Sequence, residues 1–331
     1  MISLVSESFE IISPVKDFFN PSGFIKTKTF SSMIFYLENS LKRFVLIAIM
    51  LLSKVIYFLI MKISLEKIFT NFKFDWFFIS VPNLNFLVKL RFFWNKYLAI
   101  LLNKRRINYL GGCFFYDNRF APAILEIYPK EIYELNKKIN FKNLKNVLDI
   151  GANIGQFTYT LERFYPHLNI YSFEPNKEVY PLLEKNVANF KNVKTYNFAL
   201  GEKNGEKNFY FSPDASVEGS FYKENASQNP YHLDIKKISV NVLNFNPQNI
   251  VALKLLKNYD LIKIDVEGAE VEVLKSLKGV KTKYLAVEIS GKKNLGEVKL
   301  LIDKFWGDAD LIDYNLLNKK LSVVSKVFRI K

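Results

Sequence analysis

Residues 147–155 read Val-Leu-Asp-Ile-Gly-Ala-Asn-Ile-Gly, an apolar run that meets an acid and then two glycines four positions apart. Val147 and Leu148 have the composition of a buried strand, and Gly151 and Gly155 open a turn into a helix. Gly151 lets the backbone come close to a ligand, and Gly155 allows a helix to pack tightly on a strand. The spacing G-x-x-x-G departs from the dinucleotide fingerprint G-x-G-x-x-G. Asp149 at the strand end would repel a phosphate, so the turn suits a cationic ligand. By itself such a string also fits a generic strand-to-helix turn.

Working outward, Tyr171-Ser-Phe-Glu-Pro175 follows at the distance expected of the next strand and places Glu174 at its end. A carboxylate there accepts two hydrogen bonds from ribose hydroxyls, which points to a nucleoside-containing cofactor. Further on, Leu261-Ile-Lys-Ile-Asp-Val-Glu-Gly-Ala-Glu270 carries three acids into a turn. Ligands of open parallel sheets lie beyond the carboxyl ends of the strands, where Asp265 and Glu267 fall. Clustered carboxylates raise one another's pKa, as a general base requires, so Asp265 is read as catalytic or substrate-orienting and Glu270 as a cap or as a support behind the site. Glu288, in Ala286-Val-Glu-Ile289, is a further candidate at the rim.

Around these motifs the pattern predicts strands at 146–150, 168–173, 193–199, 259–265 and 283–289, with helices at 154–164, 177–189 and 269–277. Two closing strands are expected at 310–314 and 321–328. Alternation of this kind gives an α/β fold, a doubly wound, mostly parallel Rossmann-like sheet covered on both faces. The segment Pro213–Asn249 reads as a long loop, with 214–222 as a substrate lid and Ser216, Ser220, Ser227 and His232 as candidate contacts. His232 equally suits a loop histidine with a local hydrogen bond, and His167 lies at the wrong end of the sheet for chemistry.

The chain of 331 residues divides at about residue 105 into an apolar, basic helical region (1–105) and an α/β domain (106–331). Residues 1–110 hold 15 Lys and Arg against 6 Asp and Glu, and the remainder 32 against 26, so much of the net charge of +15 sits near the N-terminus. Residues 44–61 are a mostly apolar run with one charge, Lys54, at the lower limit of a membrane span. Residues 86–103 mix Leu, Phe and Trp with Lys89, Arg91 and Lys96, as in a basic helix lying in a membrane interface or in a helix packed on the catalytic domain. The expectation is a cytoplasmic protein associated with the inner face of a membrane through residues 40–105. The basic residues form no aromatic-interleaved stripe, which argues against nucleic acid as a partner. The single cysteine, Cys113, excludes an internal disulfide and a cysteine-built zinc cluster. No His and Cys ligand set is present, and an oxygen-only Mg²⁺ site on Asp265, Glu267 and Glu288 would leave too weak a signature to read.

Taken in order, VLDIGANIGQFT (147–158), YSFEPN (171–176), LIKIDVEGAE (261–270) and AVEIS (286–290) resemble the FkbM-type family of class I S-adenosylmethionine-dependent methyltransferases. The resemblance covers about residues 108–330 and implies S-adenosylmethionine as cofactor. It implies that Asp149, Gly151, Asn153 and Gly155 hold the methionine portion, that Glu174 binds the ribose and that residues 197–201, with Ala199 at their centre, flank the adenine. It further implies methylation of a hydroxyl oxygen on a sugar, glycan precursor or other small molecule.

Overall fold

The computed structural model describes residues 84–102, 104–116, 125, 127–212, 215–226, 234–290, 294–307, 309–313 and 323–330, with isolated positions at 48, 75 and 78–82. The chain divides into two compact units, residues 1–63 and 64–331, and all described residues except Ala48 lie in the second. Residues 44–61, Ser227, His232 and the turn at 318–319 therefore fall outside the described residues, save for Ala48. Among the described residues no helix is long and apolar enough to cross a membrane.

The described part of the second unit includes helix α1 (Phe86–Leu101), followed by a hairpin of β1 (Arg106–Tyr109) and β2 (Gly112–Phe115). α1 turns Phe92, Phe93 and Lys96 inward. Phe92 stacks on Phe78 at 4.3 Å and leans on Tyr109 at 5.6 Å. Lys96 survives burial because Asp75 accepts its ammonium at 2.7 Å and the Tyr97 hydroxyl at 2.8 Å. Packing of this helix on the domain is thus what the structure displays.

After α2 (Ile127–Lys138) the main sheet starts with β3 (Asn146–Ile150), α3 (Gln156–Phe164), β4 (Asn169–Phe173), α4 (Tyr180–Val187) and β5 (Val193–Tyr196). It resumes with β10 (Asn258–Asp265), α7 (Glu270–Ser276), β11 (Lys281–Ser290), α8 (Asn294–Trp306), β12 (Ala309–Asp313) and β13 (Val323–Ile330). The strand order is β12-β13-β11-β10-β3-β4-β5, parallel except for β13, which runs antiparallel to both neighbours. Each face has its own apolar core. Ile132, Leu135, Phe157 and Leu161 from α2 and α3 cover one side. Val273 and Leu274 from α7, Leu277 just past its end, and Val298 and Ile302 from α8 cover the other. The order reverses between β3 and β10, and such a switch point opens a crevice at the carboxyl ends of the two strands.

Two expectations need correction. The strand anticipated at 193–199 is two strands. It breaks at Asn197, whose side-chain amide donates to the carbonyls of Glu174 (2.8 Å) and Pro175 (3.2 Å). Ala199–Leu200 (β6) then leaves for a second sheet. Nor is Pro213–Asn249 a loop without structure of its own. It contributes β8 (Ala215–Ser220), the short helix α5 (Lys223–Ala226), β9 (Lys236–Leu243) and the start of α6 (Pro247–Ala252). With β7 (Gly205–Ser212) these strands form a four-stranded sheet in the order β6-β9-β7-β8. Its own core contains Phe209, Phe211, Val240 and Val242. The period-two alternation of Lys-Ile-Ser-Val-Asn-Val-Leu in β9 carries that strand, because alternate residues face one side.

Candidate active site

The crevice at the switch point is a cavity of about 790 Å³, part of it open to solvent. Its floor is the turn after β3. Gly151 (φ 84°), Asn153 (φ 51°) and Gly155 (φ 88°) all lie in the left-handed region, which bends the chain sharply at the cavity floor. The amides of Gly151 and Ala152 both donate to Phe173 O at 2.9 Å, which fixes the turn to β4. A Cβ on Gly151 would lie 1.8 Å from the Asp265 carbonyl oxygen, so glycine there is what lets β3 and β10 end side by side. A Cβ on Gly155 would meet Leu183 Cδ1 of α4 at 2.8 Å. The packing that Gly155 permits is therefore of helix against helix, a correction to the helix-on-strand reading.

Glu174 lies in the cavity wall and is buried. Its Oε2 accepts the Asn153 amide at 2.9 Å and its Oε1 the Asn176 amide at 2.8 Å. Burial pushes its carboxyl up to about 7, against the pull of those two amides and with a further push from Asp149 and Asp265. One amide per oxygen leaves acceptor capacity on both oxygens for a diol.

Asp149 is fully buried and lies beneath the cavity, outside its lining. Thr158 Oγ1 donates to its Oδ2 at 2.7 Å. That leaves the Thr158 oxygen to accept from Ser172 Oγ, also at 2.7 Å. Among the described residues Asp149 Oδ1 has no hydrogen-bond partner, but it faces the Lys263 ammonium at 3.8 Å. Burial raises its pKa, offset by Lys263 and Thr158.

β10 brings Lys263 and Asp265 onto one face, two residues apart, with Lys263 Nζ 3.0 Å from Asp265 Oδ2. Asp265 is in register with Glu288 on β11. Repulsion from Asp265, followed by burial and Glu267, holds the Glu288 carboxyl well above the usual range. Glu267 (φ 48°) lines the cavity and accepts from Ser290 Oγ at 3.3 Å. Glu270 faces away from the cavity and accepts the amides of Gly268 (2.7 Å) and Ser290 (3.3 Å), closing the turn. Among the described residues no set of three or more acidic, histidine or cysteine side chains converges to hold a metal ion.

The opposite end of the cavity is apolar. Phe173, Phe198, Ala199 and Leu200 form one side, and Phe209, Gly219 and Phe221 of the second sheet form the other. Ser220 is buried and donates to the Glu267 carbonyl at 2.6 Å while accepting the Tyr222 amide at 3.1 Å. Its hydroxyl thus ties the second sheet to the 266–268 turn instead of facing the cavity. Ser216 lies in β8, and nothing further is described of its side chain. His167 bonds Phe141 O at 3.2 Å, at the amino-terminal edge of the sheet.

Sequence reasoning missed Lys263, the second-sheet phenylalanines, and Tyr128 and Glu131 on α2. Tyr128 lines the cavity, and the electrostatics of Tyr128 and Glu131 couple them to Lys263 and Asp265. Burial raises Glu131 to about 7. The lysine alone had a legible signal, as a charge within the apolar run Leu261–Ile264 of β10.

An apolar slot for a base, a carboxylate for a diol, and a polar end dominated by acids fit a nucleoside cofactor carrying positive charge. The fold and site are those of a class I, Rossmann-like methyltransferase. Residues 149–310 match the family model described as the methyltransferase FkbM domain, so the chain carries an S-adenosylmethionine-dependent methyltransferase domain of that type. The chain is similar to Methyltransferase 1 of Beauveria bassiana (strain ARSEF 2860), at 27 % identity over 49 % of this chain and 71 % of the relative. It is also similar to Methyltransferase sdnD of Sordaria araneosa, at 28 % identity over 46 % and 66 %. Among solved structures, Aeropyrum pernix fibrillarin in complex with natively bound S-adenosyl-L-methionine aligns with a TM-score of 0.35 and 14 % identity, over 56 % of this chain and 66 % of that one.

Proposed function

We propose that the protein transfers the methyl group to a hydroxyl oxygen of a sugar, glycan precursor or other small polyhydroxylated molecule. S-adenosylmethionine, when bound, supplies a methyl group already activated by the sulfonium. The chain's own residues then have two tasks, to hold the acceptor oxygen in line and to take its proton. Asp149, through Thr158 and Lys263, stiffens the floor. Gly151 and Asn153 shape the turn over which the methionine portion would lie, Glu174 would bind the ribose, and the wall of Phe198, Ala199 and Leu200 would take the adenine.

The observation that carries the reading is Asp265 at the polar end of the cavity, held by Lys263 at 3.0 Å, with Glu288 as its neighbour in register. Of this pair, Asp265 acts as the base that removes the hydroxyl proton. Glu288, already burdened by its neighbours' charge, favours the protonated form and donates a hydrogen bond. Glu267 orients the acceptor from the turn that follows β10.

The experiment is incubation of the purified chain with methyl-labelled S-adenosylmethionine and a panel of saccharides, polyols, small phenols and RNA. Label on an alkali-stable ether of a saccharide or polyol is the expected result. Label confined to RNA or to nitrogen would overturn the reading.

A further inference from the structure

Lys263 neither takes the proton nor holds the acceptor in the proposed transfer, yet it contacts the carboxylate cast as the base. Its side chain is buried, with Nζ 3.0 Å from Asp265 Oδ2, 3.8 Å from Asp149 Oδ1 and 5.1 Å from the centre of the Phe157 ring. Lys263 and Asp149 are register partners on β10 and β3, the two strands that part at the switch point. The ammonium therefore bridges the crevice beneath the place where the reacting groups meet. Burying an amine is costly unless opposite charge and hydrogen bonds compensate it, and a packing role alone would be served by an apolar residue.

We propose that Lys263 is a positioning residue. Its ammonium fastens the Asp265 carboxylate at the cavity rim and screens it from Asp149, so that Asp265 is presented to the acceptor in one orientation. This rests on the reading of Asp265 as the base. The groups facing the ammonium come from four elements, namely Asp149 on β3, Asp265 on β10 itself, Glu131 and Tyr128 on α2, and Glu288 on β11. Burial lowers the pKa of Lys263, but the carboxylates of Asp265 and Asp149, with smaller contributions from Glu131 and Tyr128, outweigh it and hold it well above the ordinary lysine value. The amine is thus a fixed cation throughout the working range, as a clamp must be. An arginine would keep the charge but bring a planar fork in place of a point donor.

The test uses cofactor and product binding to the full chain, which needs no acceptor. Dissociation constants for S-adenosylmethionine and S-adenosylhomocysteine are measured by calorimetry from pH 6 to pH 8 for the unchanged chain, Lys263→Arg and Lys263→Met. In Lys263→Met the buried Asp149 carboxylate, whose pKa burial already raises, loses the cation that offsets that rise. The preference for the charged cofactor over the neutral product is then expected to vary with pH at least fivefold more than in the unchanged chain. Binding of S-adenosylhomocysteine at pH 8 stays within threefold, and Lys263→Arg restores most of the flat response. A crystal structure of Lys263→Met with S-adenosylhomocysteine is expected to show the Asp265 carboxylate displaced by more than 1 Å. An unaltered pH response in Lys263→Met would overturn the proposal, as would Asp265 in its original place or a chain that binds neither nucleoside in any Lys263 variant. Failure to label any hydroxyl acceptor would instead strike the function reading and leave these binding results standing.

Discussion

The carboxylate of Glu174 accepts the backbone amide of Asn153 at 2.9 Å, so the ends of β3 and β4 are joined by one charge-assisted hydrogen bond inside the cavity wall. In Glu174→Gln one of the two oxygens becomes an amide nitrogen. Either the Asn153 or the Asn176 amide then meets a donor. Affinity for S-adenosylmethionine is expected to fall about 10- to 100-fold, in line with the roughly 1.5–3 kcal/mol of a hydrogen bond to a charged group. Calorimetry on the variant checks this, and unchanged affinity would remove Glu174 from the cofactor site.

Gly151 and Gly155 differ in how much each can yield. Gly151→Ala would press a methyl into the Asp265 backbone carbonyl at a φ of +84°, and neither obstacle can move without parting β3 from β10. A loss of several kcal/mol is expected, with little soluble protein. Gly155→Ala at a φ of +88° meets only the tip of Leu183 and should cost roughly 1–2 kcal/mol. Urea unfolding of the two variants gives the ranking.

For Asp265→Asn, methyl transfer should drop by about 10²–10⁴-fold, the usual contribution of a positioned base. The nucleoside affinity should stay within a few-fold, because Glu174 and the apolar slot are untouched. Comparable losses in transfer and in cofactor binding would show that Asp265 binds the nucleoside instead.

Acidity should stabilise the chain free of ligand. Glu131 and Glu174 each rise from 4.5 to about 7 in the folded protein, chiefly through burial. A raised folded value means that the folded state holds its proton more tightly than the unfolded chain does. That stability is fully present below pH 4.5 and is lost as pH climbs through 7, by roughly 3 kcal/mol for each group at most. Tm should therefore decline between pH 5 and pH 8. Glu131→Gln should flatten the slope, which thermal scans across that window would show. A slope of opposite sign would mean that these carboxylates are paired in solution.

Thr158→Val removes the donor to Asp149 Oδ2 and leaves a buried carboxylate with less compensation. A cost of about 1–3 kcal/mol is expected, and Thr158→Ser should restore most of it. Chemical denaturation of the two variants distinguishes the hydrogen bond from the loss of shape.

Much of the site was legible because its motifs are local. The strand ends at Ile150, Phe173 and Asp265 announce themselves through apolar runs that stop at an acid or a glycine. Glu270 could be read as a cap because it begins a helix. Asp149 could be read only as an acid at a strand end. Whether its side chain enters the cavity or lies beneath it depends on Thr158 and Lys263, which reach it from other elements. Ser220 looked like a substrate contact because a serine in a polar segment carries no mark of its partner, and that partner is the Glu267 carbonyl 47 residues away.

The sequence by itself determined the alternating strands and helices from β3 to β5 and from β10 to β11, the nucleoside chemistry of the turn after β3 and the acid at the end of β4. Each of these depends on side-chain period or backbone freedom within a few neighbouring residues. Only the tertiary structure decided that the segment after β6 is a second sheet walling the apolar end. It also decided that α2 brings Tyr128 and Glu131 to the polar end, and that one lysine binds two strands at the switch point. Those facts depend on which distant elements share a crevice, and contact across the fold leaves no period in the chain.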